Sequence, residues 1–279
     1  MAGGWIESSD KRHTGLRQRE GDLLVTTRNV TVVTAASRCR LETDDMRTSY
    51  TTFLADTFPL PFRGRAEAGK ILAGRLKSFA GQSDAVVVAI ANDGVPVAAQ
   101  VAAGLSLPMT VEVVRNLHVP GHEEVAMGAI ATDDVKILDQ ETMNALHIPE
   151  RVADWVVFRE TQELLRRERV FTDEREVPSL AGKTVILVDD GVAEGPRMLA
   201  AIHAVRKQKA RRIVVAVPVG GRQFMSKVRA AADQVVCLIE PKLFISLSHW
   251  YDSLEPVEDW EVCQMLDGHG QRRAELAMA

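Results

Sequence analysis

Long apolar runs are missing from this chain of 279 residues. No stretch approaches the roughly 18 apolar residues that a membrane-spanning helix requires. The opening residues, MAGGWIESSDKRHTGLRQREGD, lack the apolar centre of a secretory signal. A cytoplasmic protein without a membrane partner is expected. Cysteine is scarce: Cys39, Cys237 and Cys263 are odd in number and far apart, which argues for reduced thiols rather than a disulfide framework. Cys237 lies in the apolar run Val235–Ile239 and reads as a packing residue. No pair of histidines or cysteines has zinc spacing. Charge of one sign is not in excess, the net charge being -4, so nothing marks a nucleic-acid surface. Internal repeats, low-complexity tracts and a Gly-Lys-Ser/Thr phosphate loop are absent too.

What is present fits an ordinary globular protein, 46% apolar and 26% charged, long enough for one sizeable α/β domain or two small ones. Residues 1–52 are polar and mixed in charge, with one β-like run, Val30–Val33, that has no evident partner. Such a segment buries too little apolar surface to offset its ordering entropy, so a poorly ordered extension is expected. Met46 offers an alternative start of the chain. Residues 53–266 read as the domain and 267–279 as a flexible tail.

From Arg65 the pattern is regular. Ala68, Ile71, Leu72 and Leu76 recur at helical spacing. Ala85–Ala91 is a continuous apolar run, suited to a strand covered on both faces. Helix is predicted over Val95–Leu105, strand over Met109–Val114, a loop over Asn116–Ala126 containing Pro120-Gly121, and a short strand over Val135–Leu138. A long helix over Pro149–Val170 carries the run Arg166, Arg167, Glu168, Arg169, read as a solvated face. Strands at Thr184–Val188, Arg212–Val217 and Gln234–Ile239 then alternate with helices at Pro196–Lys207 and Gln223–Ala231. That alternation predicts a doubly wound parallel sheet between two helical layers.

Ligands of open α/β sheets bind where strands end and helices begin. The most informative such place is VILVDDGVAEGPRM, Val185–Met198. Asp189 and Asp190 directly follow a buried strand, where carboxylates can accept hydrogen bonds from vicinal sugar hydroxyls. Gly191, Val192, Ala193, Glu194 and Gly195 can turn tightly enough to aim several N–H groups at one anion. A helix starting near Pro196 adds the positive end of its dipole. Ribose hydroxyls beside a phosphate describe a ribose 5-phosphate site.

A strand, an acidic pair and a small-residue loop entering a helix resemble the ribose-phosphate motif of type I phosphoribosyltransferases. FRGRAEAGKILAGRL, AIANDGVPVAAQVA, VEVVRNLHVPGHEEVAMGAI, TVILVDDGVAEG, IVVAVPVG and DQVVCLIEP resemble, in order, successive segments of bacterial members whose substrates are often unassigned. The resemblance spans Phe62 to Val262. It implies a three-layer α/β fold with a small hood, and transfer of 5-phosphoribosyl from 5-phosphoribosyl 1-pyrophosphate to an acceptor such as a nucleobase. Asp189 and Asp190 would then hold the ribose hydroxyls, and Gly191 to Gly195 with Arg197 the 5-phosphate. Asn92, Asp93 and Gly94 would meet the pyrophosphate. Arg115, with His118 and His122 in the loop after it, would close over the site. Mg²⁺ would arrive with the pyrophosphate and reach the protein through water, without direct side-chain ligands. Catalysis would stabilise a cation-like ribosyl centre and the departing pyrophosphate. A homodimer is one assembly such a domain allows.

The sequence departs from that pattern at the loops. Glu194 stands where a threonine is usual. A carboxylate about 5 Å from a phosphate dianion, at an effective dielectric of about 20, costs on the order of 6 kcal/mol, less if it turns away. Pro196 removes a backbone donor at the helix start. Arg197 replaces a hydroxyl residue and can either serve the phosphate or pair with Glu194. Asn92-Asp93 replaces Arg-Gly, and Asn116 replaces Lys. Ala193 occupies the position where some purine enzymes carry a carboxylate for the base. His118 and His122 read as either solvated loop residues or ligand contacts, and His203 as structural. Trp250-Tyr251 would either cover a base or pack the C-terminal segment. Two functions are therefore expected: a Mg²⁺-dependent phosphoribosyltransferase, or an impaired member that binds a nucleotide or a protein as a regulatory module.

Overall fold

The computed structural model describes residues 24–27, 30–33, 62–172, 175 and 177–278. Contacts divide the chain into two units, Met1–Phe58 and Pro59–Ala279. In the first, β1 (Leu24–Thr27) pairs antiparallel with β2 (Val30–Val33), Leu24 opposite Val33. The run Val30–Val33 therefore has a partner, four residues too short to stand out by pattern. The poor order expected for the rest of 1–52 concerns residues outside those described.

The second unit is built on a seven-stranded sheet. Its strands are β3 (Ala85–Ala91), β4 (Met109–Val119), β5 (His122–Ala131), β6 (Val135–Leu138), β7 (Thr184–Val188), β8 (Arg212–Val219) and β9 (Gln234–Ile239), in the order β6-β5-β4-β3-β7-β8-β9. Neighbours among β4, β3, β7, β8 and β9 run parallel, and β5 and β6 add an antiparallel edge. The helices are α1 (Arg65–Arg75), α2 (Val95–Leu105), α3 (Gln140–Ala145), α4 (Glu150–Thr172), α5 (Gly195–Lys207), α6 (Arg222–Ala231) and α7 (Asp259–Met278).

Side chains alternate across each strand, and the strands sort them into two cores. Ala85, Val87, Ala89, Ile186 and Val188 pack with residues of α1, α2 and α4. Val86, Val88, Ile90, Val185 and Leu187 pack with α5 and α6. This double cover is why Ala85–Ala91 is apolar at every position and buried throughout. The three-layer doubly wound fold read from the sequence is the observed one.

Three local expectations change. The stretch Asn116–Ala126 is no loop: β4 continues through Val119, turns at Pro120-Gly121 and returns as β5. Leu117 and Val119 are buried, which keeps the strand going, and Gly121 at φ +81° makes the turn. Residues 267–278, expected as a flexible tail, continue helix α7, and Asp267 pairs with Arg175 at 2.8 Å. The run at Arg166 and Arg167 is not simply solvated. Both arginines bond Glu163, and Arg166 also reaches Asp259 at 2.7 Å, tying α4 to α7. Among the described residues no helix is long and apolar enough to cross a membrane.

Flanking segments meet over the carboxyl ends of the strands to form the hood. Phe62 donates its amide to Trp250 O, Asp252 donates to Phe62 O, and Phe62 stacks on Tyr251 with centroids 5.4 Å apart. Trp250 and Tyr251 are both buried with Phe62, Ala68 and Val219. Packing of the C-terminal segment is thus their role.

Candidate active site

The site grows from two neighbouring strands. β3 and β7 run parallel with Ala89 opposite Val188, so the turn after Ala91 and the acidic pair after Val188 emerge side by side. Gly94 holds them together. A Cβ there would lie 2.6 Å from Ile90 O, 2.9 Å from Val188 O and 3.0 Å from Asp189 Cα. Only glycine permits that approach. A cleft of about 230 Å³ opens above, lined by Asp93, Asn116, Asp189, Asp190, Glu194, Arg197 and others.

The acidic pair is buried and already partnered. Arg197 Nε donates to Asp189 Oδ2 at 3.2 Å, and its NH2 donates to Ala91 O at 3.1 Å. Asp190 N donates to Asp189 Oδ1. Arg65 spans the cleft floor, with Nε on Asp190 Oδ2 and NH2 on Asp93 Oδ1, each at 2.9 Å. Arg65 NH1 donates to Glu255 O. Tyr251 Oη donates to the Asp190 carbonyl. Burial pushes the carboxyls of Asp189 and Asp190 above the usual carboxylate range, while Arg197 and Arg65 respectively pull them back.

The loop that would take a phosphate has been reworked. Glu194 precedes α5 and makes no capping bond with it. Its Oε2 instead accepts from Asn116 Nδ2 at 3.0 Å, across from β4. Burial raises its carboxyl above the ordinary range, with His118 and Arg197 opposing. Val192 is spent on structure: its amide donates to Val219 O and its carbonyl accepts from Gly221 N. Gly191, Ala193 and Glu194 line the cleft, and their amides meet no protein acceptor among the described residues. Pro196 stands inside the first turn of α5 and contributes no N–H.

Several expected site residues lie elsewhere. Arg115 does not close over the cleft. It sits on β4 facing α4, where its Nε and NH2 donate to Glu160 Oε2 at 3.1 and 2.7 Å. Its neighbour Asn116 takes the opposite face, as strand alternation requires. Asn92 is buried, its amide nitrogen donating to Val257 O and Asp259 Oδ1 and its oxygen accepting from Arg167. Of the turn expected to meet pyrophosphate, Asp93 alone lines the cleft. Gly94 donates to Ile90 O, and its role is the close approach just described. His118 is half-buried with an unpartnered Nδ1, while His122 is exposed beside Glu124.

Arg65, which lines the cleft and holds Asp190 and Asp93, has no counterpart among the residues singled out in the sequence, whereas Tyr251, expected to cover a base or pack the C-terminal segment, packs there and donates to the Asp190 carbonyl. Arg65 is 125 residues from Asp190, and a lone arginine at a helix start carries no signal of its own partner. No cluster of three or more His, Cys, Asp or Glu able to hold a metal occurs among the described residues. The carboxylates here are turned to guanidiniums, so they do not fit a direct Mg²⁺ site.

The acidic pair and the small-residue loop thus face one cleft on a doubly wound sheet. Residues 63–252 match the phosphoribosyl transferase domain family, and the chain belongs to that family. Rv0571c of Mycobacterium tuberculosis strain H37Rv, named as a phosphoribosyl transferase without a stated substrate, is 37% identical over 206 residues. MT0597 of strain CDC 1551 matches to the same extent. Each alignment covers 74% of this chain and 46% of the relative, so the chain spans less than half the length of these curated relatives. The solved structure of TT1426 from Thermus thermophilus is 32% identical with a TM-score of 0.61, covering 74% of this chain and 98% of that one.

Proposed function

We propose that the chain binds a ribosyl ligand through Asp189 and Asp190, with transfer from 5-phosphoribosyl 1-pyrophosphate impaired. Such a protein acts as a ligand-binding regulatory module rather than as a rapid transferase. The observation that carries this reading is the occupancy of the site by its own arginines. Arg197 holds Asp189 and Arg65 holds Asp190, both carboxylates being buried. A pyrophosphate-bearing ligand would have to draw those guanidiniums away. Breaking a buried pair from one side costs about 3–5 kcal/mol, because it strands a carboxylate.

The second reading is an active enzyme of the family's usual kind, moving 5-phosphoribosyl with Mg²⁺ to an acceptor such as a nucleobase. The unclaimed amides of Gly191, Ala193 and Glu194 favour it, since three N–H groups in one loop suit an anion. In that case Mg²⁺ would come bound to the pyrophosphate and supply charge neutralisation there. Asp189 and Asp190 would orient the ribose hydroxyls, and the loop would hold the 5-phosphate.

Calorimetric titration with 5-phosphoribosyl 1-pyrophosphate and Mg²⁺, beside a pyrophosphate-release assay over a nucleobase panel, separates the two. The first reading expects neither binding nor release by the wild type, and gained binding in Glu194→Thr/Asp93→Gly. Submillimolar binding by the wild type, lost in Asp190→Asn, would overturn it in favour of the enzyme.

A further inference from the structure

At one end of the cleft, side-chain acceptors stand beside the unclaimed amides of Gly191, Ala193 and Glu194. Glu194 and Asn116 both line it. Asn116 turns its amide nitrogen to Glu194 Oε2, and its Oδ1 is buried with no partner among the described residues. Four carboxylates line the cleft, those of Asp93, Asp189, Asp190 and Glu194, against the guanidiniums of Arg65 and Arg197. Both guanidiniums are held by the acidic pair. Wherever these carboxylates are ionised, a dianion entering here meets excess negative charge in a largely buried setting, where screening is weak.

A neutral sugar meets no such penalty. Asp190 Oδ2 is taken by Arg65, but no donor among the described residues reaches Asp190 Oδ1. A carboxylate has about four lone-pair sites, so it can take a ribose hydroxyl without releasing its arginine. The free loop amides serve a sugar oxygen as well as a phosphate oxygen. Leu247 and Leu254 line the same cleft and give an apolar wall for the group attached to the sugar.

We propose that this cleft selects ribosyl compounds with a free 5-hydroxyl, nucleosides among them, and that Glu194 determines this by accepting from that hydroxyl. The proposal rests on the ribosyl-binding reading above. A half-buried carboxylate with one protein donor is stabilised by a second donor and destabilised by a second anion. Glu194 thus acts as a selector for the 5-position and takes no part in bond breaking.

Ligand-observed NMR titration of the full chain with methyl β-D-ribofuranoside and its 5-phosphate isolates the 5-position. Adenosine and its 5-monophosphate repeat the comparison with a base attached. The wild type is expected to bind each hydroxyl compound at least about tenfold more tightly than its phosphate. Glu194→Thr should reverse that order, and Glu194→Gln, which removes the charge and keeps an acceptor, should narrow the gap. Asp190→Asn should weaken both compounds. Equal or tighter binding of the 5-phosphates by the wild type overturns the selectivity and leaves the ribosyl reading standing. Absence of binding by all four compounds, or binding indifferent to Asp190→Asn, overturns both.

Discussion

Arg115 and Asn116 are adjacent in sequence yet serve different halves of the molecule. Arg115 belongs to the packing between β4 and α4, and Asn116 to the cleft. Arg115→Ala is therefore expected to lower unfolding free energy by about 2 kcal/mol, the worth of charged hydrogen bonds to the buried Glu160, while ligand affinity stays unchanged. Urea unfolding and a binding titration on the same variant check both halves. Affinity falling with stability intact would return Arg115 to the site. At this scale the sequence was legible where chemistry is contiguous. Asp189, Asp190, Glu194 and Arg197 share one loop and helix start, and all line the cleft. Arg65 was illegible because its partner is distant in the chain. Strand alternation after Val114 would have separated Arg115 from Asn116, had the strand been read through to Val119.

Elements were the most legible level. Ala85–Ala91, Val95–Leu105, Thr184–Val188 and Gln234–Ile239 have the observed ends, because each apolar run stops at residues that cannot continue it. The hairpin of β4 and β5 was missed because Pro120-Gly121 signals a turn without saying what flanks it. Short α3 escaped for want of periodicity over six residues. Where elements meet, Gly94 is the critical contact. Gly94→Ala drives a methyl into one backbone atom each of Ile90 on β3, Val188 on β7 and Asp189 just beyond it, so overpacking should cost about 1–3 kcal/mol. Ligand affinity should fall with it, since the turn and the acidic pair would be forced apart. A thermal melt with the same titration tests this, and an unchanged melting point with unchanged affinity would refute it.

Over the whole molecule, the two cores leave one acid in an exacting place. Glu112 on β4 is 3% exposed, accepting from Thr132 N and Oγ1 and from Gln208 Nε2. Burial raises its pKa from 4.5 to about 7. The folded chain then holds a proton that the unfolded chain releases, so stability falls as pH climbs from 4.5 to 7 and levels off above. Glu163, held down to about 2 chiefly by Arg166, titrates below that window. The displacement of Glu112 corresponds to about 3 kcal/mol at neutral pH. Glu112→Gln should remove most of this part of the decline between pH 4.5 and about 7 in urea unfolding, and an equal decline in both proteins would refute the assignment. Asp189 contributes a decline of the same sign, which the comparison of variant with wild type cancels. The close approach at Gly94 bears on how such a protein diversifies. Main-chain atoms set the span between the turns after β3 and β7, so exchanging side chains at positions 93, 116, 194 and 197 leaves that span alone. A library randomised at those four positions would sample ligand preferences on one invariant chassis.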